Sequence, residues 1–120
     1  MRARILIVED SQLVVEAFTI LLTDAGYNVD SAETVAEAIE RGTSRAVDLM
    51  LLDLSLPDGD GLEVLAALRE KGRLPRSTLA MTGHNDPQLR RKCIAAGCDQ
   101  VLLKPVPIGD LLRDIERHLA

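Results

Sequence analysis

The feature that most constrains this chain is an alternation. Five short strand-like segments are separated by stretches with helical spacing. Ile5-Leu6-Ile7-Val8 is a continuous apolar run, the pattern of a strand buried on both faces. Val47 to Leu52 is a second strong run and ends at Asp53. Ser77 to Met81 ends at Thr82, and Gln100 to Leu103 ends at Lys104-Pro105. Tyr27-Asn28-Val29-Asp30 is short and more polar, and reads as a strand near a sheet edge.

The intervening segments carry helix signals. Ser11 stands where a cap is needed, Leu13, Ala17, Ile20 and Leu21 follow, and Gly26 marks the stop. From Ala32, the residues Val35, Ala38 and Ile39 keep helical spacing, and Gly42 is read as the end of that run. Ser55 to Gly61 is rich in turn formers and reads as a loop. Leu62, Leu65 and Leu68 mark the next helix, which stops near Gly72. Asp86-Pro87 is an N-cap followed by Pro at the first helical position, and that helix runs to Gly97. Ile108, Leu111, Leu112, Ile115 and Leu119 form an apolar stripe on the last helix.

Strand and helix thus alternate five times over residues 1–120, read as one domain. Such alternation implies an α/β fold with a parallel sheet covered on both faces. Right-handed crossovers make it a doubly wound sandwich of three layers. Binding sites in such sheets lie beyond the carboxyl ends of the strands, where the strand order switches.

Composition removes other classes. The 120 residues are 47% hydrophobic, too apolar for a disordered chain. Nineteen acidic against 14 basic residues oppose direct binding to nucleic acid, which needs a basic footprint. Phe18 and Tyr27 are the only aromatics, so the core is aliphatic. No apolar run approaches the ~18 residues of a membrane span, and the N-terminal apolar stretch ends in acids unlike a signal peptide. Cys93 and Cys98 have neither metal-pair spacing nor a shared helix face, and read as thiols of a reducing, cytoplasmic compartment.

The polar residues at the strand ends converge on one rim. Glu9 and Asp10 follow the first strand, Asp53 ends the third, Thr82 the fourth and Lys104 the fifth. Three close carboxylates repel and bind protons unless a cation intervenes. A hard divalent ion fits such donors, and Mg²⁺ needs only a few protein carboxylates. With Lys104 and the Thr82 hydroxyl, the set is suited to holding a phosphoryl group on a carboxylate.

Val8-Glu9-Asp10, Leu51-Leu52-Asp53-Leu54-Ser55-Leu56-Pro57, Asp60-Gly61, Met81-Thr82-Gly83 and Lys104-Pro105 together resemble the receiver domain of two-component response regulators. The likeness covers essentially the whole chain. It implies a flavodoxin-like (βα)5 sandwich with a five-stranded parallel sheet of order 2-1-3-4-5. It implies Asp53 as phosphoacceptor, and Glu9, Asp10, Asp53 and the Ser55 backbone carbonyl as Mg²⁺ ligands. Lys104 would contact the phosphoryl group, Thr82 would move toward it, and the Lys104–Pro105 bond would be cis. The implied donor is a sensor histidine kinase or a histidine phosphotransfer protein. The implied output contact, with an output domain or a partner protein, is the face of helix four, strand five and helix five.

One position departs from the family pattern. Many receivers carry Tyr or Phe three residues before the Lys, and here that position is Val101. Val cannot sweep a large volume between rotamers, so output is expected to be atypical, or the domain to relay phosphate onward. His84 reads either as a solvated side chain or as a modulator of hydrolysis beside Ser55. Arg90-Arg91-Lys92 reads as a solvated helix face or a partner contact, and His118 as a complement to its helix dipole.

The reading is therefore a signalling module rather than an enzyme, with at most self-catalysed phosphotransfer and slow autodephosphorylation. The receiver module of a hybrid sensor histidine kinase is an alternative setting. A metal-dependent phosphohydrolase is less consistent, because Ser55 stands where a second Asp would serve as general acid. A nucleotide-binding module lacks its Gly-rich turn after the first strand. A degenerate receiver is opposed by the intact acidic set.

Overall fold

A computed structural model describes residues 2–120 of the chain. Met1, the first residue of the expected domain, lies outside the described residues. The elements in order are β1 (Arg4–Val8), α1 (Gln12–Asp24), β2 (Asn28–Ala32), α2 (Val35–Ser44) and β3 (Leu49–Asp53). A short pair follows, β4 (Ser55–Leu56) and β5 (Gly59–Asp60), and then α3 (Leu62–Glu70). The chain closes with β6 (Ser77–Thr82), α4 (Pro87–Ala96), β7 (Gln100–Leu103) and α5 (Ile108–Leu119).

The main sheet has the order β2-β1-β3-β6-β7, with every neighbouring pair parallel. Counted along that sheet alone, this is the expected order 2-1-3-4-5. β2 is an edge strand, which explains its polar sequence. The register aligns Val8 with Leu52, Asp53 with Met81, and Thr82 with Leu103. The strands therefore end nearly level, and the residues after them share one rim.

Alternation along the strands divides the core. Ile5, Ile7, Leu49, Leu51, Leu79 and Met81 face Val15, Phe18 and Leu22 of α1 and Leu111 and Ile115 of α5. Leu6, Val8, Met50, Leu52 and Ala80 face α2, α3 and α4. The strands must be apolar on both faces for this reason. Each fully buried aliphatic side chain contributes about 1.5–3 kcal/mol.

Several sequence expectations are corrected. On α1, Leu13, Ala17 and Ile20 point outward, while Val15, Phe18 and Leu22 are buried. That helix is apolar on most sides, and the sheet selects which side is covered. The Ser11 side chain makes no capping bond, although Ser11 is the N-cap. Gly42 lies inside α2 rather than ending it, where its missing side chain admits Leu68 of α3. Cys93 and Cys98 do meet. Gly97 adopts a left-handed conformation (φ 112°), which turns the chain back so that Cys98 donates its backbone N–H to the Cys93 carbonyl at 3.0 Å and both thiols are buried in one core cluster.

The expected loop at Ser55–Gly61 is a small antiparallel hairpin, pairing Ser55 with Asp60 and Leu56 with Gly59. The third strand begins at Leu49 rather than Val47. His118 reaches a side chain, its Nε2 lying 2.8 Å from Gln100 Oε1. Among the described residues, no helix is long and apolar enough to cross a membrane.

Candidate functional site

Glu9 leaves β1 and is buried, with 1% of its surface exposed. Its carboxylate accepts the backbone N–H of Ser11 at 3.1 Å and the Lys104 ammonium at 2.9 Å. Asp53 ends β3 and is 3% exposed. Its Oδ1 accepts the backbone N–H of Ser55 at 3.1 Å, and its Oδ2 lies 3.0 Å from Lys104 Nζ. Asp10 is exposed beside them. Glu9, Asp10 and Asp53 each offer an oxygen, and these atoms lie within 4.8 Å of one another.

Buried carboxylates are costly unless paired and hydrogen-bonded. Lys104 bridges both buried acids from the end of β7. Burial alone would pull its ammonium down, but hydrogen bonds to Glu9 and Asp53 and their charges hold it above the usual lysine range. Three carboxylates against one ammonium leave a negative excess. The donors are all hard oxygens, the set that suits Mg²⁺. These residues fit a divalent ion on donor chemistry and on spacing.

Thr82 is buried at the end of β6, and its Oγ1 accepts the backbone N–H of His84 at 3.1 Å. The hydroxyl proton is left to donate elsewhere. His84 itself is exposed. The Lys104–Pro105 peptide bond is cis. Val101 does not reach the rim. It is buried among Ala80, Cys93 and Cys98, in the core layer beneath α4. Arg90, Arg91 and Lys92 are all exposed on α4.

The hairpin after Asp53 is held closely. Gly61 donates its N–H to the Leu54 carbonyl at 3.0 Å, and a Cβ on Gly61 would collide with the carbonyl oxygen of Asp53. Only glycine lets α3 start this close to the acidic residue. Two further features escape sequence reasoning. An apolar groove of about 480 Å³ opens beside the rim, where Leu13, Ala17, Pro105 and Ile108 adjoin Glu9 and Lys104. Asp58, in the hairpin turn, accepts backbone N–H groups of α2. Neither has a local signal, because each depends on segments distant in the chain.

A doubly wound sheet with an acidic cluster, a lysine and a threonine at its carboxyl rim defines a class of signalling modules. Residues 5–116 match the family model described as the response regulator receiver domain, and the chain belongs to that family. It is 35% identical over 107 residues to the KDP operon transcriptional regulatory protein KdpE of Escherichia coli, covering 89% of this chain and 47% of that protein. It is also 35% identical over 129 residues to hybrid signal transduction histidine kinase B of Dictyostelium discoideum, covering 97% of this chain and 7% of that one. The chain thus spans half or less of the length of these curated relatives. Among solved structures, chemotaxis protein CheY4 of Vibrio cholerae aligns with a TM-score of 0.93 at 28% identity, covering 99% of this chain and 100% of that one. A CheY-like receiver domain protein of Methanospirillum hungatei aligns with a TM-score of 0.90 at 30% identity, covering 99% and 94%. The chain is therefore a two-component receiver domain, a signalling module rather than an enzyme of the usual kind.

Proposed function

We propose that residues 1–120 act as one receiver domain that accepts a phosphoryl group on Asp53 from a phosphohistidine partner. The observation that carries this reading is the meeting of Glu9, Asp10 and Asp53 oxygens within 4.8 Å, with Lys104 bridging two of the acids. A carboxylate oxygen of Asp53 bonds to phosphorus as the phosphorus–nitrogen bond of the donor imidazole breaks. The bonding pair returns to the imidazole nitrogen. Lys104 would neutralise phosphoryl oxygens, and the Thr82 hydroxyl would donate to one. Mg²⁺, held by Glu9, Asp10, Asp53 and the Ser55 carbonyl, would supply further positive charge there. Slow hydrolysis of the acyl phosphate, with His84 and Ser55 near the water path, returns the domain to its starting state.

The donor is a sensor histidine kinase or a histidine phosphotransfer protein, and the setting is cytoplasmic. The groove beside Glu9 and Lys104 supports a docking place for it. Leu13 is 80% exposed there and Ile108 is 50% exposed, so a partner helix would find apolar contacts next to the acidic rim. Output through α4, β7 and α5 is expected to be small or differently transmitted, because Val101 fills the switch position. The hybrid-kinase setting is supported equally by the relatives, since one is a hybrid kinase and another a transcriptional regulator.

The test is incubation with acetyl phosphate and Mg²⁺, followed by intact mass. One phosphate adduct is expected, lost in Asp53→Ala and lost without Mg²⁺. No adduct from acetyl phosphate or a phosphohistidine donor would overturn the reading.

A further inference from the structure

The turn of the hairpin after Asp53 is tied to a helix far away in sequence. Asp58 Oδ1 accepts the backbone N–H of Val35 at 2.7 Å, and its Oδ2 accepts that of Ala36 at 3.2 Å. These are the first two residues of α2. Thr34 Oγ1 takes the next N–H, that of Glu37, at 3.1 Å. The initial donors of a helix have no partner within it. Here they are divided between a local cap and a carboxylate from the rim loop. A carboxylate also suits the positive end of the helix dipole. The α2 bonds hold the Asp58 carboxyl below its ordinary range, the Val35 bond foremost.

The hairpin has other anchors nearer its base. Ser55 donates its N–H to Asp53, Asp60 to Glu63 and Gly61 to Leu54, and Leu56 packs against the core. The tip, Pro57 and Asp58, is exposed to solvent. The Asp58 bonds to α2 hold the tip.

We propose that Asp58 is a positioning residue for the rim site: it straps the hairpin to α2 and so holds the Ser55 carbonyl in place for the divalent ion. This rests on the phosphoacceptor reading, in which that carbonyl is a ligand. Asp58 touches neither the ion nor the phosphoryl group in this scheme. Its effect passes through the hairpin backbone.

The test is Mg²⁺ binding by titration calorimetry to the whole, unphosphorylated chain. Asp58→Ala is expected to weaken Mg²⁺ about tenfold, the lower end of what outer partners of a metal site contribute. Asp58→Asn keeps an acceptor for Val35 and is expected to stay within about threefold of the parent chain. Thr34→Ala removes the other α2 cap and lowers Tm, but leaves Mg²⁺ affinity unchanged. Amide exchange across residues 55–60 should quicken in Asp58→Ala and not in Thr34→Ala. Unchanged Mg²⁺ affinity in Asp58→Ala overturns the proposal. So does Asp58→Asn binding as weakly as Asp58→Ala, since lost charge would then explain the effect. Equal weakening by Thr34→Ala overturns it as well. Failure of the parent chain to bind Mg²⁺ overturns the phosphoacceptor reading and this proposal with it.

Discussion

Lys104 Nζ lies 3.0 Å from Asp53 Oδ2, joining the end of the fifth strand of the main sheet to the end of the third. The same ammonium lies 2.9 Å from Glu9 Oε1, so one cation serves two buried acids. Lys104→Met removes that charge while keeping the length of the stem. Phosphorylation by acetyl phosphate should slow about a hundredfold, the scale for losing one electrostatic stabiliser. Time-resolved intact mass measures it, and a rate within twofold of the parent chain would remove Lys104 from the chemistry.

The groove on α1 gives a second prediction. Leu13→Arg and Ile108→Asp change exposed residues, so Tm should move little. Transfer from a phosphohistidine donor should fall about tenfold, as for one strong interface contact of roughly 1.4 kcal/mol. Transfer from acetyl phosphate should be unchanged. A phosphohistidine transfer rate equal to that of the parent chain would place docking elsewhere.

Gly61 tests the close approach of α3 to Asp53. Gly61→Ala forces a Cβ against the Asp53 carbonyl and the Leu54 Cα. Overpacking of this kind costs about 1–3 kcal/mol. Urea denaturation should show that loss, together with slower phosphorylation.

The buried thiols give a pH dependence. Burial, followed by Cys93, pushes the Cys98 thiol up to about 12 from an ordinary value of 9.0. Below pH 9 the thiol is protonated folded and unfolded, and its contribution is fully present. As pH rises toward 12, the unfolded chain sheds the proton and the folded chain keeps it, so stability falls. Cys98→Ala should flatten the alkaline slope by up to about 1.4 kcal/mol per pH unit. Denaturant melts from pH 8 to 11 check this, and parallel slopes would contradict it.

Val101 gives the last prediction. It is 7% exposed, pairs with Ala80 across the sheet and belongs to the core cluster that holds both thiols. Addition of beryllofluoride should shift Thr82 resonances more than the Val101 methyls in a methyl NMR spectrum. A large, localised change at Val101 and its outer neighbours would show that Val transmits the signal after all.

The five strands and their helices are legible in the sequence because strand and helix periods are local. So is the rim. In a parallel sheet, the residue that ends a strand is also the residue at the carboxyl edge. The order of strands and helices along the chain therefore suffices to group Glu9, Asp53, Thr82 and Lys104. The cap at Asp86 and the turn at Gly97 are local too, and both stand at the expected positions. The buried face of α1 is not legible. Leu13, Val14, Val15, Phe18, Ile20, Leu21 and Leu22 surround that helix with apolar groups, and no period selects Val15, Phe18 and Leu22.

The sequence by itself determined which segments form the five strands of the main sheet, which are helices, and which acids reach the rim. Short-range periodicity and turn chemistry suffice for those. Only the tertiary structure decided that Asp58 meets Val35, that Cys93 meets Cys98 beyond the turn at Gly97, and that Leu13 stays exposed beside Glu9. Those contacts depend on how elements cross and rotate as the whole aliphatic core is filled. That packing is a collective outcome of many buried side chains, and no single stretch of sequence encodes it.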